Sequence, residues 1–422
     1  MPTPHLMKPY LLWLAALAAF SLALRNVFPI KPFDVLAVIL GIAILTDRGT
    51  RILARTFWHE VRRYVKYFAW FLLLVCIAQG VSWIRDDLNP WNIALLSQYA
   101  RLVFNLYTFL LVAFLMYADK RIVTFASRAI FISPILVLPA HFAEWQASYI
   151  EGIRLAGLLG NPIIFGFWMM VAFFIGLGLY LDAKRPGTRF GIAAWLVIIA
   201  NFILWSASRC AWIAIPFGLV ALLYLCVLQK RSAEDVLHIL GLVFISFALG
   251  QALLVTARIP ISAKPQGAPD ETYAIKKFVV RRVFNLVLNP TQNESRITIW
   301  REAISKNIQN PWGFGMYGEV SPPQFPGAAN SYLEAPEAGG WGALAIFLLI
   351  LTQIGTTVKQ AIHKRVSKLT GLEMIWFSIG AALVINIFFY NFFFTRVLWF
   401  VLGAILGIAL YEKNRAGDAA KT

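Results

Sequence analysis

The stretch GAANSYLEAPEAGGWGALAIFLL, residues Gly327–Leu349, takes the chain from a polar loop into an apolar helix through a run of glycines. Its first half carries Asn330, Ser331, Glu334 and Glu337, and its second half, after Gly339 and Gly340, has no charge at all. A helix that is apolar all round belongs in lipid or in a large core. The same kind of apolar run recurs from one end of the chain to the other.

Composition points the same way. The sequence is 59% hydrophobic and 14% charged, whereas a soluble domain carries about 25% charged residues. Twelve apolar segments stand near 10–24, 33–46, 67–84, 102–117, 122–142, 162–181, 190–208, 211–228, 236–256, 338–358, 372–390 and 394–411. A span takes about 20 residues, so 33–46 is the shortest fit. Leu24-Arg25-Asn26 offers no small-residue cleavage site, which makes the first segment an uncleaved anchor. The expected fold is an all-α polytopic membrane protein of about twelve transmembrane helices. It divides into helices 1–9 over residues 1–256, a helical loop over 257–337, and helices 10–12 with a tail over 338–422.

Lysine and arginine set the orientation. With the N-terminus inside, the cytoplasmic pieces hold 21 of these residues and the short outer loops hold 7. This bias places both termini inside, and the long loop, which is exempt from the rule, outside. It also accounts for much of the +17 net charge. RGTRILARTFWHEVRRYVK (Arg48–Lys66) is a basic strip for anionic headgroups, not a nucleic-acid site. Cys210 and Cys226 bound one expected helix about 24 Å apart, so they cannot bridge, and no cysteine spacing suggests a metal.

The loop 257–337 begins with proline and glycine (ISAKPQGAPDET), then offers an amphipathic basic helix over Glu271–Leu288 suited to a membrane surface. After NPTQNES comes RITIWREAISKNIQNPWGFGMYG (Arg296–Gly318), with Ile297, Trp300, Ile304 and Ile308 in an apolar stripe at helical spacing. Pro311 and Gly313 end that helix, and Gly315 and Gly318 mark a turn. So elaborate a loop points to function on the outer face.

Several activities fit poorly. Ion-coupled transporters bury carboxylates or histidines in their spans, and the twelve apolar cores contain no Asp or Glu, with Asp34, Asp235 and Glu373 only at their edges. Nothing resembles a channel filter or charged ring. There is no Walker loop, dinucleotide fingerprint or zinc-protease signature, and Asp86-Asp87 reads as a solvated pair, so neither cofactor nor metal is expected. A flippase needing no buried carboxylate survives. The outer arginines suggest phosphate recognition, because guanidinium pairs bidentately with phosphate oxygens. Arg209, in LWSASRCAWIAIP, lies between two apolar runs in a tight hairpin at interfacial depth. Arg154 lies in EGIRLAGLLGNPIIFGFW, where GNP (Gly160–Pro162) marks a turn and helix start. Arg296 and Arg301 lie in the loop helix, roughly 140° apart around it at about 100° per residue.

SASRCAW (Ser206–Trp212), RITIWREAISKNIQNPWGFGMYG and NSYLEAPEAGGWGALAIFLL (Asn330–Leu349) follow one another across a long outer loop. In that order they resemble the O-antigen ligase and O-antigen polymerase superfamily of bacterial inner-membrane glycosyltransferases, over roughly residues 150–360. The segment count and single modest loop resemble the ligase more than the pilin-glycosylating transferases, with the polymerase the nearest rival. The resemblance implies a GT-C-like fold and a metal-independent, inverting transfer at the periplasmic face. The donor would be a polysaccharide on undecaprenyl diphosphate and the acceptor lipid A–core oligosaccharide. Arg209 matches the diphosphate-binding arginine, with Arg154, Arg296 and Arg301 as helpers. Asn330, Tyr332 and Trp300 are expected to contact the acceptor or hold the loop.

The family places a histidine just before the Asn-Ser-Tyr-Leu-Glu run, as the base for the acceptor hydroxyl. Here that position is Ala329. A positioned base contributes about 10²–10⁴-fold, and alanine supplies none of it. Three readings stand: a deliberate His-to-Ala change that traps substrate, a natural member using Glu334 or Glu337 as base, or a chain that binds without catalysing.

Overall fold

The computed structural model describes residues 7–22, 31–86, 93–136, 150–151, 154–155, 159, 161–206, 208–256, 294–315, 330–389 and 395–419. Apart from one two-residue strand pair, the regular structure within them is helical. The helices are α1 (Pro9–Ser21), α2 (Pro32–Thr46), α3 (Arg48–Asp86), α4 (Ile93–Ala118) and α5 (Lys120–Ile132), then α6 (Pro162–Asp182), α7 (Pro186–Ser206), α8 (Arg209–Leu228) and α9 (Ala233–Thr256). α10 (Glu294–Gln309), α11 (Ser331–Arg365), α12 (Gly371–Phe389) and α13 (Arg396–Ala419) complete the set. The antiparallel pair β1 (Ile150–Glu151) and β2 (Arg154–Leu155) precedes α6. The expected surface helix over Glu271–Leu288 lies outside the described residues.

Among the described residues, 9 helices are long and apolar enough to cross a membrane: α3, α4, α6, α7, α8, α9, α11, α12 and α13. The protein is a multi-pass all-α membrane protein. The other three of the twelve expected segments are shorter as helices. α1 has 13 residues and α2 has 15, which is about 20 and 22 Å of helix against a hydrocarbon core of about 30 Å. α5 also has 13 residues before a 3₁₀ turn, Ser133–Leu136. In the other direction, the basic strip and the third segment form one 39-residue helix. At about 58 Å it is far longer than a bilayer is thick.

The described chain forms two compact units that alternate along the sequence. The first holds Met1–Asp47, Asp119–Pro290 and Arg365–Asn386, and the second Arg48–Ala118, Thr291–Lys364 and Ile387–Thr422.

In the first unit α6 is the central element, buried on all sides from Ile164 to Gly178. The indoles in this interior find hydroxyl partners, as buried tryptophans require: Trp168 Nε1 donates to Ser133 Oγ (3.1 Å) and Trp376 Nε1 to Ser127 Oγ (3.0 Å). The start of α12 leaves few of its orphan amides unpaired. The Asp182 carboxylate accepts from Gly371 N (2.7 Å) and Leu372 N (3.1 Å). Thr370 and Glu373 exchange reciprocal bonds of 3.3 and 2.7 Å as a capping box, and Glu373 pairs with Lys120 at 2.7 Å.

The second unit is organised around α13, whose apolar window is 83% buried. Its Gly403-Ala-Ile-Leu-Gly407 is a small-residue motif that lets membrane helices approach backbone to backbone. A Cβ on Gly403 would lie 2.6 Å from the Phe109 carbonyl oxygen of α4, and one on Gly407 would strike the Ala113 carbonyl. α3 adds a seam of Phe57, Val61, Tyr64, Phe68, Phe71, Val75 and Ala78 at alternating spacings of four and three, all buried. Phe68 meets Trp399 of α13 at 4.8 Å, and Tyr64 Oη shares a hydrogen bond with Thr357 Oγ1 of α11 at 3.2 Å.

Gly407→Val should therefore push α4 and α13 apart. The expected loss is about 1–3 kcal/mol, the usual range for an overpacked core, seen as a lowered thermal-unfolding midpoint in detergent. An unchanged midpoint would show that the glycine contact bears no weight.

Candidate active site

In the first unit, SASRCAW forms the corner between α7 and α8. Ser206 Oγ donates to Ile203 O (2.7 Å) and accepts from Ser208 N (3.2 Å), closing the end of α7 on itself. Trp212 N returns to Ser208 O at 3.1 Å, and its indole donates to Ile203 O at 3.3 Å. Arg209 is the first residue of α8, half-buried. Its charge stands where the exposed amides of a helix start also favour anions.

The corner sits against α6. A Cβ on Gly166 would lie 2.5 Å from Ser208 Cβ and 2.6 Å from Ser206 Oγ, so only glycine lets this helix so close. α6 begins nearby, with Pro162 in its first turn and Asn161 as cap, its Oδ1 accepting from Ile163 N (2.8 Å) and Ile164 N (3.2 Å). GNP is thus the helix start the sequence suggested. The strand carrying Arg154 packs beside α6 and α7.

In the second unit, α11 begins at the Asn-Ser-Tyr-Leu-Glu run. Asn330 is its cap: its Oδ1 accepts from Tyr332 N at 2.9 Å, and its carbonyl from Leu333 N and Glu334 N at 3.1 and 3.0 Å. Glu334 lies in the first turn, 4% exposed. Glu337 is half-buried one turn on. Ala329 lies outside the described residues.

α11 then breaks at Gly339 and Gly340, the latter at φ 72°, ψ −177°, a backbone region essentially reserved for glycine. In an unbroken helix Trp341 N would bond to Glu337 O, four residues back. Both groups are instead taken by the turn that ends α10: Trp341 N donates to Pro311 O (3.2 Å), and Phe314 N donates to Glu337 O (2.6 Å). The NPWGFG turn is spliced into the helix ladder. Asn310 Nδ2 holds the turn through Gly313 O (2.6 Å), with Gly313 at φ 85°. Trp341 Nε1 reaches Asn307 O (3.1 Å), and Ser82 Oγ of α3 reaches Phe314 O (3.0 Å). A Cβ on Gly340 would strike the Pro311 carbonyl oxygen and lie 2.8 Å from Trp312 C.

Beside the splice, Phe388 links the two expected contact residues. Its ring lies 5.3 Å from Trp300, edge to face, and 6.2 Å from Tyr332, which in turn meets Phe347 at 6.0 Å. Phe388 had no motif around it to single it out. The apolar stripe of α10 is largely turned outward. The buried positions are Ala303 and Asn307, with Trp300 half-buried, whereas Ile304 and Ile308 are exposed by 41% and 66%.

The family model for O-antigen ligase matches residues 194–353, from the end of α7 through the splice into α11. The match covers less than half of the chain's 422 residues and is a likeness to that family. It supports a general role of the O-antigen ligase or polymerase type, in lipopolysaccharide biosynthesis. No curated protein matches the chain.

The matched stretch contains Arg209, Arg296, Arg301, Ala329 and Glu334, while Arg154 precedes it. Arg154 and Arg209 belong to the first unit. Arg296 and Arg301 belong to the second, both on the continuous helix α10, with Arg301 exposed. Trp300, Asn330, Tyr332 and Glu334 also fall in the second unit. Among the described residues, no group of three or more His, Cys, Asp or Glu is gathered so as to hold a metal ion.

Gly340→Ala should destabilise the protein by about 1–3 kcal/mol from backbone strain alone, with the clash on Pro311 adding to it. Gly355→Ala on the same helix meets nothing within 4 Å and is the control, expected to be neutral or slightly stabilising. Equal unfolding midpoints for the two variants would refute the splice as a stabilising element.

Proposed function

We propose that this protein transfers a glycan from undecaprenyl diphosphate to lipid A–core oligosaccharide at the periplasmic face of the bacterial inner membrane. The transfer is inverting, needs no metal or cofactor, and runs on a GT-C-like scaffold with both termini cytoplasmic. The observation that carries this reading is Arg209: a half-buried guanidinium on the first turn of α8, in a serine-lined corner, within the stretch that matches the ligase family.

A lipid diphosphate presents its charge at the depth of such a hairpin. In the reaction the acceptor hydroxyl oxygen attacks the anomeric carbon, the bond from that carbon to the diphosphate oxygen breaks, and the hydroxyl proton passes to a base. Guanidinium groups fixed before the reaction stabilise the charge that develops on the diphosphate. Arg209 fills this role, with Arg154, Arg296 and Arg301 as further candidates. Asn330, Tyr332 and Trp300 are assigned to holding the loop or meeting the acceptor.

The base is assigned to position 329, where alanine stands, with Glu334 as the candidate within the chain as written. The positive-inside bias supports the periplasmic placement of the 257–337 loop. That one-sided, helix-bearing loop favours a transferase over a flippase.

Arg209→Ala should weaken binding of an undecaprenyl-diphosphate glycan by about ten- to a hundredfold, the worth of one charge-assisted hydrogen-bonding group. Titration of the purified protein in nanodiscs measures this, and unchanged affinity would remove the assigned role. In proteoliposomes supplied with donor and lipid A–core, Ala329→His should produce ligated lipopolysaccharide while the chain as written does not. Transfer by the unaltered chain would move the base to Glu334 or another group. Chain extension of the lipid-linked glycan, without ligation, would favour the polymerase.

A further inference from the structure

α10 carries an apolar edge that the protein leaves uncovered. Ile304 is 41% exposed, Ile308 66%, and Trp312, in the turn beyond the helix, 64%. Ile304 and Ile308 are one turn apart on one flank of the buried face, and the side turned away from that face carries Glu302, Ser305 and Gln309, all exposed. The polar side gives the helix a proper water-facing surface, so the isoleucines are not filler for a helix bathed in water.

The edge is continuous with a lipid-facing surface. Trp341, 39% exposed, begins the half of α11 that is apolar enough to span, and Leu348 and Leu349 further along that half are 43% and 45% exposed. Its indole is tied to Asn307 O of α10, and Trp312 packs its backbone on Gly340. The splice thus sets the exposed indoles of Trp312 and Trp341 at the same end of the span. Tryptophan concentrates at that level of a bilayer, with its ring among acyl chains and its N–H toward water.

Arg301 completes the pattern. It is exposed and lies roughly 20° from Ile308 around the helix at about 100° per residue. A long cationic side chain beside an apolar edge reaches phosphates at headgroup depth.

We propose that α10 is an interfacial helix: its Ile304–Ile308–Trp312 edge is sunk in the lipid bilayer, with Arg301 at the phosphate level and Glu302, Ser305 and Gln309 facing water. The partner of this surface is the bilayer itself, at the shallow depth of about 5–10 Å typical of such helices. The splice at Gly340 is what holds it there. A lipid-linked substrate diffusing in the same leaflet would then meet Arg301 sideways, without leaving the membrane.

Spin labels test this without reference to glycan transfer. Single cysteines at 302, 304, 308 and 309 are introduced after Cys76→Ser, leaving the buried Cys210 and Cys226 in place. The labelled protein is reconstituted in phosphatidylcholine–phosphatidylglycerol liposomes. Relaxation by oxygen, which concentrates in lipid, is compared with relaxation by a water-soluble nickel chelate. The oxygen-to-nickel ratio should be several-fold higher at 304 and 308 than at 302 and 309. Equal nickel access at all four positions would place the edge in water and overturn the proposal. Exclusion of both reagents at 304 and 308 would show that protein covers it, from this chain or a second copy, and would overturn it equally. A second measurement uses the unaltered chain: a phosphatidylcholine with a photoreactive acyl chain should label the 304–312 segment, and absence of adducts there counts against the proposal.

Discussion

A backbone hydrogen bond broken in or near a bilayer has no water to replace it, so any bend in a membrane helix must bring its own partners. At Gly339–Gly340 the partners come from another part of the chain. The Trp341 amide and the Glu337 carbonyl, which would have bonded to each other, are met by Pro311 O and Phe314 N. Because the two freed groups are satisfied by one turn, the bend and the turn support each other. This single exchange fixes α10 to α11, and with them Trp300 and Tyr332 around Phe388. The glycines at 313 and 340 follow from it, since both backbones run at positive φ where they touch.

The first unit solves a different problem with the same economy. Its candidate arginine, Arg209, stands at a sharp corner between two apolar helices, where end groups of both would otherwise be unpaired. Ser206 and Ser208 close α7 and open α8 with short local bonds, and Gly166 gives them room. A cation placed on such a corner is held by backbone geometry rather than by a long flexible loop. Preorganised charge of this kind is what a diphosphate leaving group needs, since nothing has to reorient while charge develops.

Much of this was legible in the sequence, and the parts that were not share a cause. Apolar length and the absence of charge announced the spanning helices, and GNP announced the start of α6 through purely local chemistry. The matching family model covers the same motifs the sequence set apart. The splice was not legible, because NPWGFG and EAGGW each read as an ordinary glycine turn and only their pairing gives them meaning. The stripe on α10 misled for the same reason: helical spacing finds an apolar arc but does not say which part of it faces protein. Asn307, polar and nearly fully buried at 1% exposure, is the residue that pattern reasoning places outside. Gly403 and Gly407 had a readable spacing, yet which helix they receive, α4, is a fact of tertiary packing.

The candidate bases can be weighed on the same physical grounds. Glu334 sits one turn inside α11 and is 4% exposed, whereas a base must come within hydrogen-bonding reach of a bulky sugar hydroxyl. Burial therefore argues for a packing and helix-start role for Glu334. Cap, splice and arginine corner are all built from residues other than 329. On the proposed reading, a histidine-to-alanine change at that one position removes the proton acceptor and spares the residues that build cap, splice and corner.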